Sequence, residues 1–181
     1  MLEDLEKVLF TEEQIHQRIA ELAAQISRDY AGRELMLVTV LKGAVFFLTF
    51  LAKSLTIPVR LDFLGIASFS PGKAFPGVVR ISKDVDQDIH GMDVLLIEDI
   101  VDTGLTLRYL LNILNGRQPN SIEVCTFLDK ADRRLVDIPI KYRCFEIPDR
   151  FVVGFGLDYM QRYRTLSCVG ILKQQIIQQK S

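Results

Sequence analysis

Residues 94–106 read Val94-Leu95-Leu96-Ile97-Glu98-Asp99-Ile100-Val101-Asp102-Thr103-Gly104-Leu105-Thr106, and this stretch decides the fold of the chain. Residues 93–97 are largely apolar and are predicted to form a buried strand. Two carboxylates, Glu98 and Asp99, follow at the C-terminal edge of that strand, and an acidic turn then leads into a helix predicted over residues 105–114. Because a buried strand, a short turn and a helix form the repeating unit of α/β proteins, the stretch predicts an α/β fold.

The turn that follows the strand has the composition of a phosphate-binding site. Residues 102–106 provide hydroxyl groups, and the start of the helix provides free backbone N–H groups and the positive end of the helix dipole. Glu98 and Asp99 would repel a phosphate unless a divalent cation lies between them or sugar hydroxyls donate hydrogen bonds to them. A phosphorylated sugar with magnesium satisfies both conditions. The same residues also fit an ordinary strand, turn and helix with acidic capping residues, and the missing GxxxxGK[ST] pattern argues against a P-loop.

The rest of the chain repeats this alternation of strands and helices. Thr11-Glu12-Glu13-Gln14 has the spacing of a capping box, and apolar residues follow it at helical intervals as far as Gly32. A second helix is predicted between Gly43 and Pro58. Further strands are predicted over residues 35–41, 59–67, 78–82, 121–128, 151–153 and 166–172. We therefore expect a mainly parallel central sheet with helices on both faces and ligands at the C-terminal ends of its strands.

Length and charge exclude several classes of protein. A chain of 181 residues with 49% apolar residues can bury one substantial core, so one domain over residues 1–181 is expected. The net charge is -1 and the basic residues are scattered, which argues against nucleic acid as a partner. The longest uncharged apolar stretch, residues 43–52, is shorter than the roughly 20 residues needed to cross a bilayer. Glu3, Asp4 and Glu6 are not typical of a secretory signal, so a cytoplasmic protein without a membrane partner is expected.

The cysteines and histidines give no sign of a disulfide framework or a zinc site. Cys125, Cys144 and Cys168 are odd in number and far apart, so we interpret them as thiols of the core. His16 and His90 have no neighbouring Cys or His at metal-ligand spacing. A small-molecule substrate therefore remains the favoured ligand.

Four motifs identify a family. Residues 98–104 resemble the phosphoribosyl pyrophosphate signature of type I phosphoribosyltransferases. Leu41-Lys42-Gly43 resembles the pyrophosphate loop of the hypoxanthine-guanine branch, Leu128-Asp129-Lys130 its purine-contacting lysine segment, and Phe151-Val152-Val153-Gly154-Phe155-Gly156-Leu157-Asp158-Tyr159 its base-binding motif. The resemblance implies the fold of that family, in which a small hood built from the termini accompanies the sheet. It also implies a homodimer or homotetramer.

The resemblance implies a role for individual residues around the phosphoribosyl group. Glu98 and Asp99 would hold the ribose hydroxyls and influence one magnesium ion, while Asp158 would serve a second magnesium ion through water. In the family the peptide bond before Lys42 can be cis. Pyrophosphate would contact Lys42, Gly43 and Arg164, and the 5'-phosphate would be wrapped by Asp102, Thr103, Gly104, Leu105 and Thr106.

The resemblance also implies the residues that handle the base. Asp102 would be the general acid and base at purine N7, and Lys130 with Phe151 and Val152 would bind the base. Lys130 carries only hydrogen-bond donors, which suits the carbonyl oxygen at position 6 of hypoxanthine or guanine and not the amino group of adenine.

A loop over residues 68–77 contains two prolines and two glycines and is predicted to act as a lid that keeps water from the reaction. The lid of the family commonly carries Ser-Tyr where this chain has Ser68-Phe69. The phenolic hydroxyl is therefore absent here, which puts lid closure by the usual hydrogen bond in question.

Three functions are compatible with these motifs. The first is a magnesium-dependent enzyme of purine salvage that transfers the phosphoribosyl group to N9 of hypoxanthine or guanine, giving IMP or GMP and pyrophosphate. The second is a regulator that senses nucleotides with the same fold, against which Asp102 argues because a sensor needs no base at that position. The third is a phosphoribosyltransferase for another base, such as xanthine, adenine or a pyrimidine. Lys130 disfavours adenine, whereas xanthine shares the 6-oxo group and stays open.

Overall fold

The computed structural model describes residues 1–68 and 79–178. Its strands are β1 Leu5–Phe10, β2 Leu35–Leu41, β3 Val59–Ser68, β4 Val79–Lys83, β5 Asp93–Val101, β6 Ser121–Asp129, β7 Tyr142–Glu146, β8 Val152–Val153 and β9 Val169–Leu172. Its α-helices are α1 Glu12–Asp29, α2 Ala44–Ser54, α3 Leu105–Asn115 and α4 Gln174–Gln178, and short 3₁₀ turns span Leu2–Asp4 and Ala131–Arg133.

The central sheet has six strands in the order β4-β3-β2-β5-β6-β7. Every neighbouring pair from β3 to β7 is parallel, and β4 alone in this sheet pairs in the antiparallel sense. Strand β5 lies between β2 and β6, so both of its edges are hydrogen-bonded. The predicted α/β fold with a mainly parallel sheet is confirmed.

The middle of the sheet is buried on both faces because most positions of β2 and β5 carry apolar side chains. Leu35 and Leu37 of β2 pack with residues of α1 and α2 on one face. Met36 and Val38, which alternate with them, pack on the other face with residues of α3. This double covering holds the C-terminal ends of β2 and β5 in a fixed relation, which is the basis of the site described below.

A second sheet is built from the two ends of the chain. Its three strands have the order β1-β9-β8, and all pairs are antiparallel. Leu5 of β1 packs beneath it with Val153, Tyr163 and Leu172. The Tyr163 hydroxyl donates a hydrogen bond to the Asp4 carboxylate over 3.0 Å. This sheet is the small hood that the family resemblance implied.

The boundaries differ from the sequence prediction in ways that have physical reasons. Strand β5 continues to Val101, so Glu98 and Asp99 belong to the strand and not to the turn. Strands β1 and β7 were not predicted, because the charged residues within both hide the alternation expected of a strand. Strand β9 starts at Val169, three residues later than expected, because the preceding residues form turns.

Other expectations can be compared directly. The capping box is confirmed, since the Thr11 N–H donates to Gln14 Oε1 and the Gln14 N–H donates to Thr11 Oγ1. The three cysteines are free and buried. No helix in residues 1–68 or 79–178 is long and apolar enough to cross a membrane. Most of the predicted lid, including Phe69, lies outside the described residues, and Ser68 is the last residue of β3.

Candidate active site

Two adjoining cavities open at the C-terminal edge of the central sheet. The first has a volume of about 320 Å³ and is lined by the turn after β2, the end of β5 with the following turn, and Asp158 and Arg164. The second has a volume of about 290 Å³ and is lined by Lys130, Phe151, Val152 and Leu157. The residues that line both cavities are Asp99, Ile100, Asp102 and Asp158. Most of the site residues predicted from the sequence therefore line these two cavities.

The end of β5 carries two consecutive carboxylates, of which the first is buried and the second partly buried. Glu98 is 8% exposed, and its neighbour Asp99 accepts a hydrogen bond from the Ile100 N–H over 2.8 Å. Burial, reinforced by the Asp99 carboxylate, raises the pKa of Glu98 well above its usual range. Burial also raises the pKa of Asp99, although the Ile100 N–H and the Arg164 guanidinium act in the opposite direction. A ligand with positive charge or hydroxyl donors would relieve this cost.

The turn after β5 is held by the segment that follows β6. Gly104 has φ +83°, a left-handed conformation that glycine adopts without strain, and α3 begins at the next residue. The Leu135 N–H donates to the Thr103 carbonyl and the Arg134 guanidinium to the Asp102 carbonyl, each over 3.0 Å. These bonds fix the carbonyl groups of the turn. The Leu105 N–H donates to Thr103 Oγ1 over 3.4 Å, and the N–H groups that follow it at the start of α3 can bind an anion.

The turn after β2 lies against the β5 carboxylates. The Leu41–Lys42 peptide bond is cis. A Cβ atom on Gly43 would collide with the Asp99 carboxylate, and one on Gly156 would collide with the Gly43 carbonyl. Glycine is therefore required at both positions, because three chain segments meet at van der Waals distance.

Asp158 and Arg164 form an ion pair at the rim of the first cavity. The Arg164 Nη2 atom lies 2.6 Å from Asp158 Oδ1, and its Nη1 atom donates to the Gly156 carbonyl over 2.6 Å. Asp158 also accepts the Gln161 N–H over 2.8 Å. The sequence analysis assigned a second magnesium ion to Asp158 and pyrophosphate to Arg164. It did not predict the ion pair that the two side chains form with each other.

The second cavity combines one buried cation with apolar walls. Lys130 is 8% exposed, and its Nζ atom lies 3.4 Å from Asp149 Oδ1. Phe151 is 43% exposed and packs edge to face on Tyr159, with 5.6 Å between the ring centroids. Val152 is buried. Such a cavity suits a flat ligand that carries a hydrogen-bond acceptor.

Sequence reasoning missed four residues of this region. Ile100 and Leu157 line the second cavity, and both lie inside motifs whose neighbours were singled out. The Arg133 side chain forms an ion pair with Asp102, and the Asp149 side chain forms one with Lys130. The two partners of each pair come from different segments of the chain. No local pattern in the sequence predicts these ion pairs. The one available signal was the presence of charged residues near Lys130 and Phe151 in the sequence.

The donor set suits a hard cation such as Mg²⁺, which prefers oxygen ligands. Glu98, Asp99 and Asp158 are all carboxylates, and all three line the first cavity. Within residues 1–68 and 79–178, however, no three acidic, His or Cys side chains converge closely enough to hold a metal ion by themselves. The carboxylates therefore fit a cation whose remaining ligands come from water or from an oxygen-rich substrate.

Comparison with known proteins identifies the class. A family model described as "Phosphoribosyl transferase domain" matches residues 9–160, which is most of the chain. The chain therefore belongs to the phosphoribosyltransferase family, in agreement with the sheet and the anion-binding turn.

Individual relatives point to one branch. The hypoxanthine-guanine phosphoribosyltransferase of Mycobacterium tuberculosis is 49% identical over 181 residues, covering 97% of this chain and 90% of that relative. The protein of the same name from Streptococcus agalactiae is 49% identical over 177 residues, covering 97% and 98%. A crystal structure of a hypoxanthine phosphoribosyltransferase from Staphylococcus aureus has a TM-score of 0.93 at 44% identity, covering 97% and 96%. The branch is thus the hypoxanthine-guanine phosphoribosyltransferases, enzymes of purine salvage.

The buried carboxylate of Glu98 leads to a prediction about stability. Because the pKa of Glu98 is higher in the folded chain than the value of 4.5 usual for an unfolded one, the folded state binds more protons between the two values. Stability is therefore lost as the pH rises above 4.5. Glu98→Gln removes the titrating group, so it should raise the free energy of unfolding at about pH 8 and flatten its decline from about pH 5 upwards.

Urea unfolding in metal-free buffer measures both quantities. The control is Glu146→Gln, which changes an exposed carboxylate and should leave the pH dependence unaltered. Equal slopes with pH for the wild type and Glu98→Gln would contradict the prediction.

Proposed function

We propose that this protein transfers the 5-phosphoribosyl group from phosphoribosyl pyrophosphate to N9 of hypoxanthine or guanine, giving IMP or GMP and pyrophosphate. The observation that carries the proposal is the pair of adjoining cavities that share Asp99, Asp102 and Asp158. One cavity has the groups that bind anions, and the other has a buried ammonium group and apolar walls. A phosphorylated sugar and a flat base can therefore lie side by side, with the shared carboxylates at their junction.

The first cavity is assigned to phosphoribosyl pyrophosphate. The turn before α3 offers backbone N–H groups and the hydroxyls of two threonines to the 5'-phosphate. Glu98 and Asp99 accept hydrogen bonds from the ribose hydroxyls, which offsets part of the cost of burying them. We assign the 5'-phosphate to Asp102, Thr103, Gly104, Leu105 and Thr106, and the pyrophosphate to Lys42, Gly43 and Arg164.

Magnesium is assigned to the carboxylates Glu98, Asp99 and Asp158. The two β5 carboxylates carry the electrostatic cost described above, and a divalent cation would lower it. When bound, magnesium supplies positive charge that neutralises the pyrophosphate. Oxygen atoms of the substrate or of water would complete its coordination, since among the described residues no three such side chains could hold the ion by themselves.

The second cavity is assigned to the base. The Lys130 ammonium group donates a hydrogen bond to O6, and the exposed face of Phe151 stacks on the ring. Val152, Leu157 and Ile100 provide apolar contacts. A base with an oxygen at position 6 is therefore favoured over adenine.

The chemistry requires a base near the purine and cations near the leaving group. As the bond from C1' to pyrophosphate breaks and the bond from C1' to N9 forms, the purine loses its N7 proton to the Asp102 carboxylate. Negative charge collects on the pyrophosphate, where Lys42 and Arg164 stabilise it. The lid over residues 68–77 and the homodimer or homotetramer stay predictions from the sequence.

A panel of bases tests the proposal. Purified protein is mixed with phosphoribosyl pyrophosphate, Mg²⁺ and one of hypoxanthine, guanine, xanthine or adenine, and pyrophosphate release is measured. Turnover with hypoxanthine or guanine that disappears in excess chelator supports the proposal. If none of the four bases is turned over, a sensor is favoured. Preference for xanthine or adenine would assign the protein another substrate.

The role of Asp102 leads to a second prediction. Asp102→Asn keeps the size of the side chain but cannot accept the N7 proton, so kcat should fall about 10²- to 10⁴-fold with little change in the KM for phosphoribosyl pyrophosphate. Asp137→Asn changes an exposed aspartate that lines neither cavity, so it is the control and should keep normal turnover. Near-normal kcat in Asp102→Asn would remove Asp102 from the reaction.

The role of Lys130 leads to a third prediction. A site built around a polar contact rejects a ligand without the partner, because the buried group is left unpaired. Lys130→Gln offers both a donor and an acceptor, so it should lower kcat/KM for hypoxanthine and narrow the gap to adenine. The measurement is the ratio of kcat/KM for the two bases, with Lys141→Gln as a surface control. An unchanged ratio in Lys130→Gln would mean that Lys130 does not bind O6.

A further inference from the structure

Four charged side chains alternate in sign from Lys130 to Asp102. Lys130 Nζ lies 3.4 Å from Asp149 Oδ1, and the other oxygen of Asp149 lies 3.3 Å from Arg133 Nη1. Arg133 Nε then donates to Asp102 Oδ1 over 3.0 Å. The two ends of this row line the cavity assigned to the base. Its middle members, Asp149 and Arg133, connect them from outside.

The backbone holds the members of this row in place. Arg133 ends the 3₁₀ turn that follows β6, and its N–H donates to the Lys130 carbonyl over 3.0 Å. Asp149 lies between β7 and β8, two residues after Ile147, whose N–H donates to the Asp129 carbonyl over 2.9 Å. Both segments are thus tied to the C-terminal end of β6, which also carries Lys130.

This row of ion pairs contributes more to the arrangement of the site than to the stability of the fold. Asp149, Arg133 and Asp102 are each more than 40% exposed, and ion pairs this exposed contribute little to stability. Lys130 differs, because its side chain is 10% exposed and a buried ammonium group needs a partner to remain charged. Among the described residues, Asp149 is the carboxylate within ion-pair distance of it. Asp149 therefore orients the group that is assigned to O6.

We propose that Asp149 and Arg133 are positioning residues, with Asp149 directing Lys130 toward O6 and Arg133 directing Asp102 toward N7. The inference rests on the proposed function and adds a link between its two base contacts. Asp102 Oδ1 is occupied by Arg133, so its second oxygen is the one available to N7. Asp149 holds both cations, so its loss disturbs both contacts together.

Enzyme kinetics of four variants test this link. Asp149→Asn and Arg133→Gln should each lower kcat/KM for hypoxanthine about 10-fold, while the KM for phosphoribosyl pyrophosphate stays within about twofold. Because the two residues act through one row, the double variant should lose about 10-fold and not about 100-fold. Arg133→Lys retains a donor and should recover part of the loss.

The matched control is Asp132→Asn, which removes the same charge one residue from Arg133. Asp132 is exposed and makes no ion pair within residues 1–68 and 79–178, so its kcat/KM should match the wild type. Thermal unfolding should show every variant folded at the assay temperature, with the midpoints of Arg133→Gln and Arg133→Lys equal to the wild type because their ion pairs are exposed. Asp149→Asn should have a lower midpoint, because it leaves the buried Lys130 without its carboxylate. An unchanged midpoint in Arg133→Gln separates positioning from a structural role.

The outcomes separate the two proposals. Wild-type protein without turnover of any base would overturn the proposed function and this inference together. Normal wild-type turnover with unchanged kcat/KM in Asp149→Asn and Arg133→Gln would overturn the inference alone. Losses that multiply in the double variant, or a loss in Arg133→Gln that accompanies a fall in its thermal midpoint, would overturn it too. Losses that do not multiply, with Arg133→Gln as stable as the wild type, support it.

Discussion

The position of two consecutive carboxylates at the end of β5, with Glu98 buried and Asp99 beside both cavities, is the constraint on which the site depends. Both lie at the end of a central strand that pairs with β2 as far as Ile97 and with β6 as far as Val101, so the sheet holds them in place. Their raised pKa values express the cost of holding them there. A folded protein keeps such a cost where a ligand compensates for it. The surrounding structure supplies a place for that ligand, since both cavities open beside Asp99.

Close packing of backbone places the remaining groups around these carboxylates. Gly43 allows the turn after β2 to lie against the Asp99 carboxylate, and Gly156 allows the segment before Asp158 to lie against the Gly43 carbonyl. A Cβ atom at either position would collide with these groups. The same approach carries Lys42 and Arg164 to the cavity that we assign to pyrophosphate. Cations are thus gathered near buried anions by glycine positions and not by a local sequence of charges.

Charge also organises the side of the site that we assign to the base. Lys130 would be an isolated buried cation without Asp149, and Asp102 would be an unpaired carboxylate without Arg133. The segment after β6 therefore contributes to both parts of the site. It carries the lysine, and through Arg134 and Leu135 it holds the turn before α3. Base binding and phosphate binding thus share one short piece of backbone.

The sequence by itself determined the α/β class, the capping box at Thr11 and the turn after β5, because each depends on residues close together in the chain. Apolar runs of strand length, such as residues 35–41, indicate buried strands. Only the tertiary structure decided that Asp158 pairs with Arg164, that β1 and β9 form one hood, and that Arg133 and Asp149 reach Asp102 and Lys130. These contacts join residues whose separation is set by the packing of the whole sheet, and no local pattern encodes such a distance.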